Sequence, residues 1–296
     1  MRVSATVRKV EREMSEFILN LSCPDRPGIV ASVSNELYQR GFNIRESHQF
    51  GDLEAERFFM RVAVESAASF VSLDTFNESF GATAQAFNMT WRVHDKSIKP
   101  RVLLMVSKFD HCLVDLLYRS EIGSLEMDVI GVVSNHEDAR ERVETSGIPF
   151  YYWPVSPETK GANEAKLNAL IASEHIELIV LARYMQILSP EFAAQYPDRI
   201  INIHHSFLPS FKGAVPYSRA FERGVKMIGA TAHFVTGDLD EGPIITQGVA
   251  DIKHDMNVSD LIDVGRDVER RTLAQAIRLY TQRRILTNGI KTVVFQ

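Results

Sequence analysis

Residues 199–204 read Arg199-Ile-Ile-Asn-Ile-His204, a short apolar run that contains an amide and ends in an imidazole. Runs of this kind decide the fold of the C-terminal part of the chain, where helical patterns separate one run from the next. Strands that are apolar on both faces and alternate with helices are typical of a parallel, doubly wound sheet. We therefore predict a Rossmann-like α/β domain with a mostly parallel sheet over residues 101–296. The other apolar runs are 101–107, 127–134 and 176–182.

Two polar side chains, Asn202 and His204, lie at the end of the run 199–204. Sheets of this type bind their ligands at the ends of such strands. Asp240 follows in Thr236-Gly-Asp-Leu-Asp-Glu-Gly-Pro243, a tight-turn sequence between two further predicted strands. An amide can hold an oxyanion, an imidazole can move a proton, and a carboxylate can orient the imidazole or activate a water. We therefore predict that these three residues converge to split a small acyl amide. The alternative is that they are satisfied polar groups at a strand end and in a turn.

Residues 15–95 carry a second pattern, in which predicted strands and two amphipathic helices follow the order βαββαβ. This order predicts a ferredoxin-like domain. Asp25 is expected to cap the first helix and Gly41 to end it. The polar residues 1–14 are expected to form a flexible arm, and the proline-containing segment 96–100 to link the two domains.

The composition bounds the class of protein. The chain has 296 residues, of which 45% are hydrophobic and 24% charged, with a formal net charge of −5. These values are normal for a globular protein and argue against nucleic acid or an anionic membrane as the main partner. Cys23 and Cys112 form no CxxC pair, and no apolar run reaches membrane-spanning or signal-peptide length. We therefore predict a cytoplasmic protein with no metal site. Four further histidines lack the mutual spacing of metal ligands and are expected to be structural: His111, His136, His233 and His254.

Three segments resemble a known family. Asn202-Ile-His-His-Ser-Phe-Leu-Pro209 and Ala232-His-Phe-Val-Thr-Gly-Asp-Leu-Asp-Glu-Gly-Pro-Ile244 resemble the formyltransferase fold, whose members use 10-formyltetrahydrofolate. Ala182-Arg-Tyr-Met-Gln-Ile-Leu-Ser189 resembles the segment that lines the pterin pocket of that family. In the first domain, Asp25-Arg-Pro-Gly-Ile-Val30 and Gly41-Phe-Asn-Ile44 resemble an ACT domain, a small module that senses amino acids. The combination resembles the formyltetrahydrofolate deformylases, which hydrolyse 10-formyltetrahydrofolate to formate and tetrahydrofolate.

The resemblance implies a role for each matching residue. Asn202 and His204 would donate to the oxyanion, and Asp240 would hold His204 or activate the water. The resemblance also implies that the folate is the substrate, that no cofactor is needed, and that the ACT domains pair in a homo-oligomer. The released formate would balance one-carbon pools and supply purine synthesis. The implied folate-binding residues are Met185, Gln186, Ile187, Leu188, Val235, Thr236 and Gly237. The implied regulatory amino-acid site consists of Asp25, Gly28 and Asn43.

Two departures from the transferases favour hydrolysis. Transferases that act on glycinamide ribonucleotide have a glycine-rich phosphate cradle, whereas residues 107–112 contain no glycine. His205 stands where the transferases usually have proline, and it adds a titratable ring. His205 and Lys108 are therefore candidate accessory residues that could close the acceptor channel, and a bystander role for His205 stays open. Two other functions also stay open: formyl transfer to a different small amine, and a catalytically inactive amino-acid sensor.

Overall fold

The chain divides into two compact units, and the division falls between Ile98 and Lys99. Each unit has its own sheet and its own hydrophobic core. The predicted arm, residues 1–14, lies outside the described residues. The computed structural model describes residues 15–66, 71–208 and 220–296.

Among its described residues, the first unit is a four-stranded antiparallel sheet with two helices. Its elements are β1 (Glu16–Pro24), α1 (Ile29–Gln39), β2 (Phe42–Asp52), β3 (Arg57–Ser66), α2 (Leu73–Ala86) and β4 (Thr90–Asp95). The strands lie in the order β2-β3-β1-β4, so the predicted ferredoxin-like arrangement is confirmed. Alternate residues of the strands, such as Leu19 and Leu21 of β1, pack with one stripe of each helix in a single core.

The start of α1 differs from the prediction. Gly28 occupies the N-cap position with a φ of 94°, and no side chain caps the first turn. Glycine adopts this left-handed conformation without the steric cost of a Cβ atom. Asp25 lies three residues before this position, and its backbone N–H donates to the carbonyl of Glu56 at 3.0 Å. The capping role predicted for Asp25 is therefore wrong, whereas Gly41, with a φ of 76°, follows the end of the helix as predicted.

The second unit alternates strands and helices before it ends in a long helix and a hairpin. Its elements are β5 (Arg101–Val106), α3 (His111–Glu121), β6 (Asp128–Ser134), α4 (Arg140–Thr145), β7 (Phe150–Tyr152), α5 (Lys160–Ser173), β8 (Leu178–Leu181), α6 (Pro190–Gln195), β9 (Ile200–His204), β10 (Met227–Phe234), β11 (Ile244–Asp251), α7 (Val258–Thr281), β12 (Ile285–Asn288) and β13 (Lys291–Val294).

The main sheet of this unit has the strand order β11-β10-β9-β8-β5-β6-β7. The five strands from β9 to β7 pair in parallel, and β10 and β11 add two antiparallel strands at one edge. The predicted mostly parallel sheet is therefore confirmed. The two antiparallel strands position the site, because they place the turn that carries Asp240 beside the end of β9.

The central strands are apolar because both of their faces are covered. In β5, Val102, Leu104 and Val106 belong to the core on one face, whereas Leu103 and Met105 belong to the core on the other face. All five side chains are at most 1% exposed. Burying each one fully contributes about 1.5–3 kcal/mol relative to exposure, which explains the continuous apolar run.

Helix α7 begins with a capping box, in which Asn257 accepts from the backbone of Ser259 and Asp260 and the Asp260 carboxylate accepts from the backbone N–H of Asn257. The helix runs across the sheet and carries one acidic residue, Glu269, into the interior with 1% exposure.

Within the described ranges, no helix combines the length and the apolar character that a membrane crossing requires.

Candidate active site

The strand β9 presents Asn202 and His204 on the same face, because alternate residues of a strand point the same way. Ile201 and Ile203, which alternate with them along the strand, are buried in the core on the opposite face. The antiparallel neighbour β10 places His233 opposite Asn202. The end of β9 therefore gathers polar groups from two adjacent strands.

The turn between β10 and β11 brings Asp240 to these groups. Its Oδ2 lies 3.3 Å from Nδ1 of His204, and its Oδ1 lies 3.6 Å from Nε2 of His233. The amide nitrogen of Asn202 lies 3.2 Å from the same Nε2 of His233. The structure thus brings the three predicted residues together, with His233 between Asn202 and Asp240.

His233 was expected to be only structural, yet it lies inside this cluster with 2% exposure. Its Nδ1 lies 2.8 Å from the carbonyl oxygen of Phe234, and a carbonyl can only accept, so Nδ1 carries a proton. In the neutral ring Nε2 then accepts from the amide of Asn202 and fixes the orientation of that amide. A doubly protonated ring would instead donate from Nε2 to Asp240.

Ser206 is a further site residue that the sequence did not single out. Its hydroxyl lies 2.9 Å from Nε2 of His204, while Nδ1 of the same ring faces Asp240. Both nitrogens of His204 are therefore engaged, and a substrate oxygen that binds Nε2 has to replace the hydroxyl. The sequence signals for Ser206 were its place two positions after His204 and its inclusion in the segment 202–209 that resembles the formyltransferase fold.

The turn that carries Asp240 fits against β10 only because it contains a glycine. A Cβ atom on Gly242 would lie 1.8 Å from the carbonyl oxygen of Phe234, the same oxygen that accepts from His233. Asp240 itself has a φ of 58°, a left-handed conformation that aspartate and asparagine adopt more readily than most residues. Two local features of the turn therefore set the position of the carboxylate.

The imidazole of His204, and then that of His233, hold the pKa of Asp240 well below its ordinary value, against the opposing effect of burial. The carboxyl is thus ionised at neutral pH. Because its folded-state pKa is depressed, the stabilisation is present above the pKa of the unfolded chain and is lost as the pH falls through the folded value.

His205, a candidate accessory residue, also reaches the cluster. Its ring stacks on His204 with centroids 5.0 Å apart and an interplanar angle of 19°. Its Nδ1 lies 2.9 Å from Nη1 of Arg183, and Nε of that arginine lies 3.4 Å from the carboxylate of Glu269. Burial, then the charge of Arg183, lowers the pKa of His205 to about 4. This imidazole is therefore neutral at pH 7.

The segment proposed to line the pterin pocket runs from β8 to α6 and is held at both ends. The hydroxyl of Ser107 accepts from the backbone of Met185 at 2.9 Å, and the carboxylate of Glu164 accepts from the backbone and hydroxyl of Ser189 at 2.8 and 2.7 Å. Met185 is 56% exposed on this segment. A cleft next to the segment is lined by Trp153, Tyr184, Gln186, Ile187 and Leu188, among others.

The other predicted folate residues lie on the strand-to-turn connection after β10. Val235 packs against the same core as Tyr184 and Leu188. Thr236 and Gly237 are exposed, and a Cβ atom on Gly237 would lie 3.3 Å from Cβ of Pro190. The connection therefore lies close to the start of α6, where the pterin-pocket segment ends.

Lys108 is exposed between β5 and α3. The three residues of the predicted regulatory site, Asp25, Gly28 and Asn43, are all exposed in the first unit. Gly28 stands at the start of α1 and Asn43 near the start of β2. Their roles stay predictions.

One interior cluster has the composition of a metal site: His111, Cys112 and Glu269. The carboxylate of Glu269 already contacts Nε2 of His111 at 2.8 Å and Arg183 at 3.4 Å. Burial raises the pKa of the Cys112 thiol, and a metal binds the thiolate form. We therefore assign the cluster to ion pairing.

Comparison with known proteins identifies the class. Residues 100–277 match the family described as Formyl transferase, and residues 17–69 match the family described as ACT domain. The chain therefore combines an ACT domain with a formyl transferase domain.

Relatives that match over almost the whole chain narrow the class. A formyltetrahydrofolate deformylase of Bacillus subtilis is 46% identical over 278 residues, which cover 94% of this chain and 93% of the relative. The crystal structure of a formyltetrahydrofolate deformylase from Burkholderia mallei is 47% identical with a TM-score of 0.91, covering 95% of this chain and 100% of that one. Glycinamide ribonucleotide transformylase 1 from Symbiobacterium toebii is 30% identical with a TM-score of 0.62, covering 67% of this chain and 95% of that one. The chain belongs to the formyltetrahydrofolate deformylase family.

Proposed function

We propose that the protein hydrolyses 10-formyltetrahydrofolate to formate and tetrahydrofolate. The convergence of Asn202, His204 and Asp240 at the end of β9 carries this proposal. Similarity over almost the whole chain to proteins named formyltetrahydrofolate deformylase supports the choice of substrate. The formate would balance one-carbon pools and feed purine synthesis in the cytoplasm.

The attack of water on the formyl carbon creates a tetrahedral oxyanion, which needs hydrogen-bond donors. An amide nitrogen has two N–H groups, so Asn202 can donate one to His233 and the other to the oxyanion. His204 can donate from Nε2 once a substrate oxygen replaces the hydroxyl of Ser206. A single donor of this kind typically lowers the barrier by about 2.7–4 kcal/mol.

The same reaction moves one proton from the attacking water to the leaving nitrogen, and the formic acid that results releases a second proton to solvent as it becomes formate. The water loses a proton as the new C–O bond forms, and N10 of the folate takes up a proton as the C–N bond breaks. Both carboxylate oxygens of Asp240 face imidazoles, which favours Asp240 as the orienting group and His204 as the proton carrier. Only water and side chains of the chain take part in this scheme, with the folate as substrate rather than resident cofactor.

The alternative, formyl transfer to a small amine, is less well supported. The connection between β5 and α3, where transferases cradle a phosphate, contains no glycine, and Lys108 and Phe109 are exposed there. Backbone amides can approach a phosphate closely only where side chains are absent. A ribonucleotide acceptor is therefore expected to bind poorly.

We expect formate release in plain buffer at a rate that added glycinamide ribonucleotide does not increase. The measurement follows 10-formyltetrahydrofolate spectrophotometrically and quantifies formate and formylated acceptor in the same samples. Formylated acceptor that accumulates faster than formate would establish transfer as the function and contradict hydrolysis.

We also propose that the ACT domain binds a small amino acid near Asp25, Gly28 and Asn43 and that copies of the chain associate through this domain. Coupling between two sites is usually worth about 1–3 kcal/mol, enough to tune turnover but not to create it.

Titration calorimetry of the full-length protein with each amino acid should detect one effector. Asn43→Ala is expected to weaken its binding while basal turnover stays unchanged. If no amino acid produces heat, the domain serves assembly alone.

A further inference from the structure

The buried pair Arg183–Glu269 lies directly behind the candidate site and takes no part in the scheme above. Arg183 follows β8 with a φ of 66°, and its side chain is 13% exposed. Glu269 comes from α7 and is 1% exposed, with its carboxylate 3.4 Å from Nε of Arg183. Burying a charged pair is costly unless each charge has well-placed partners, so its position beside His205 calls for a reason.

The contact between Arg183 and His205 fixes where the imidazole carries its proton. A guanidinium has only N–H donors and stays charged at any pH at which the protein is folded. At the 2.9 Å contact, Nη1 of Arg183 therefore donates and Nδ1 of His205 accepts. The single proton of the neutral ring is consequently on Nε2. A second proton could be added at Nδ1 only by breaking the contact and placing two cations together.

The stacked arrangement connects this tautomer to His204. The two rings lie 5.0 Å apart, so a charge on His205 would repel any charge that His204 acquires during proton transfer. Among the described residues, the titratable and charged groups that act on His205 come from four elements. They are Arg183 after β8, His204 on β9, Asp240 in the turn after β10 and Glu269 on α7.

We propose that Arg183, with its charge balanced by Glu269, is a positioning residue that holds His205 as the neutral Nε2–H tautomer stacked on His204. His205 then acts only as a hydrogen-bond donor and never as the base that activates water, which leaves proton transfer to His204. The catalytic consequence of this proposal rests on the proposed hydrolysis. The tautomer of His205 does not, because it can be measured in the protein without substrate.

Nitrogen-15 NMR of the full-length protein with labelled histidine tests the tautomer directly. The His205 signals are assigned by their loss in His205→Gln. We expect the wild type to show the Nε2–H form throughout pH 5.5–8.5. Arg183→Met removes the charge and the donor but keeps much of the side-chain length, and it should allow His205 to titrate at least one pH unit higher. Arg183→Lys keeps a charge and a donor, and it should retain the wild-type tautomer.

Glu269→Gln separates this role from general damage to the buried cluster. Its carboxylate raises the pKa of His205, opposing burial and Arg183, so its loss should leave His205 neutral. If the buried pair had only a structural role, Arg183→Met and Glu269→Gln would instead disturb the His205 ring in the same way. An Nδ1–H tautomer in the wild type, or a wild-type ring that titrates near pH 6.5, would overturn the proposal even if no other variant folds.

The pH dependence of kcat/KM gives the catalytic readout. Relative to the wild type, Arg183→Met should lose about half of its activity at the pH where NMR shows His205 half protonated, because protonated His205 accumulates on the acid side. Arg183→Lys should give a profile parallel to that of the wild type. Parallel profiles for both variants, combined with a titrating ring in Arg183→Met, would show that the charge on His205 does not affect catalysis and would refute that part of the proposal. Absence of formate release in the wild type would refute the proposed function without touching the NMR result.

Discussion

Replacing Asp240 with asparagine is expected to lower kcat by about 10²–10⁴-fold, the range typical of positioned proton-transfer groups, while KM changes little. Asparagine tolerates the φ of 58° at this position, so the turn should keep its conformation. The substitution removes the carboxylate that faces Nδ1 of His204 at 3.3 Å and Nε2 of His233 at 3.6 Å. An amide can donate as well as accept, so it neither selects the same tautomer nor offsets positive charge on His204. Single-turnover and steady-state formate release measure the effect.

The matched control for this variant is Glu241→Gln, which removes one negative charge from the next residue of the same turn. Glu241 is exposed, so its replacement should leave kcat within about twofold of the wild type. Residues that act as a unit are strongly non-additive, so adding His204→Ala to Asp240→Asn should cost little beyond the larger single effect. Additive losses, or an Asp240→Asn enzyme with wild-type kcat, would show that the carboxylate does not act through His204.

Burial on both faces explains why the sheet could be predicted from the sequence. The apolar runs at β5, β6 and β8 have no polar face that could be left in water, and a parallel sheet covered on both faces accommodates such strands. The short elements α4, β7, α6 and β12 were missed, because they have three to six residues and too few turns or alternations to show a period. The start of α1 was misplaced because a glycine conformation, rather than a side-chain cap, determines it.

The candidate site was predictable only in part, for a physical reason. Asn202 and His204 lie two residues apart on one strand, so a local pattern places them on one face. The position of His233 depends on the antiparallel register between β9 and β10, which separate parts of the chain fix by tertiary packing. The same holds for the contacts of Arg183 with His205 and with Glu269, which join the segments after β8 and β9 to α7. Local periodicity contains no information on such long-range pairings.

A second large loss of activity is expected when Gly242, the glycine of the turn that carries Asp240, is replaced. Gly242→Ala should lower kcat/KM by about 100-fold or more and destabilise the fold by about 1–3 kcal/mol. The new Cβ atom would lie 1.8 Å from the carbonyl oxygen of Phe234, so the turn and the end of β10 have to separate by more than about 1 Å. That separation moves Asp240 away from His204 and moves the carbonyl that accepts from His233. Thermal unfolding and formate release measure the two consequences.

Gly161→Ala provides the matched control, because it makes the same chemical change within helix α5, where no atom lies within 4 Å of the new Cβ. Alanine in a helix is better by about 0.5–1 kcal/mol than glycine, so this variant should be slightly more stable and equally active. The contrast isolates the close approach of two backbone segments from the general effect of a glycine substitution. If Gly242→Ala retained wild-type kcat/KM, the turn would not need its contact with β10 to hold Asp240, and the geometry assigned to the catalytic carboxylate would be wrong.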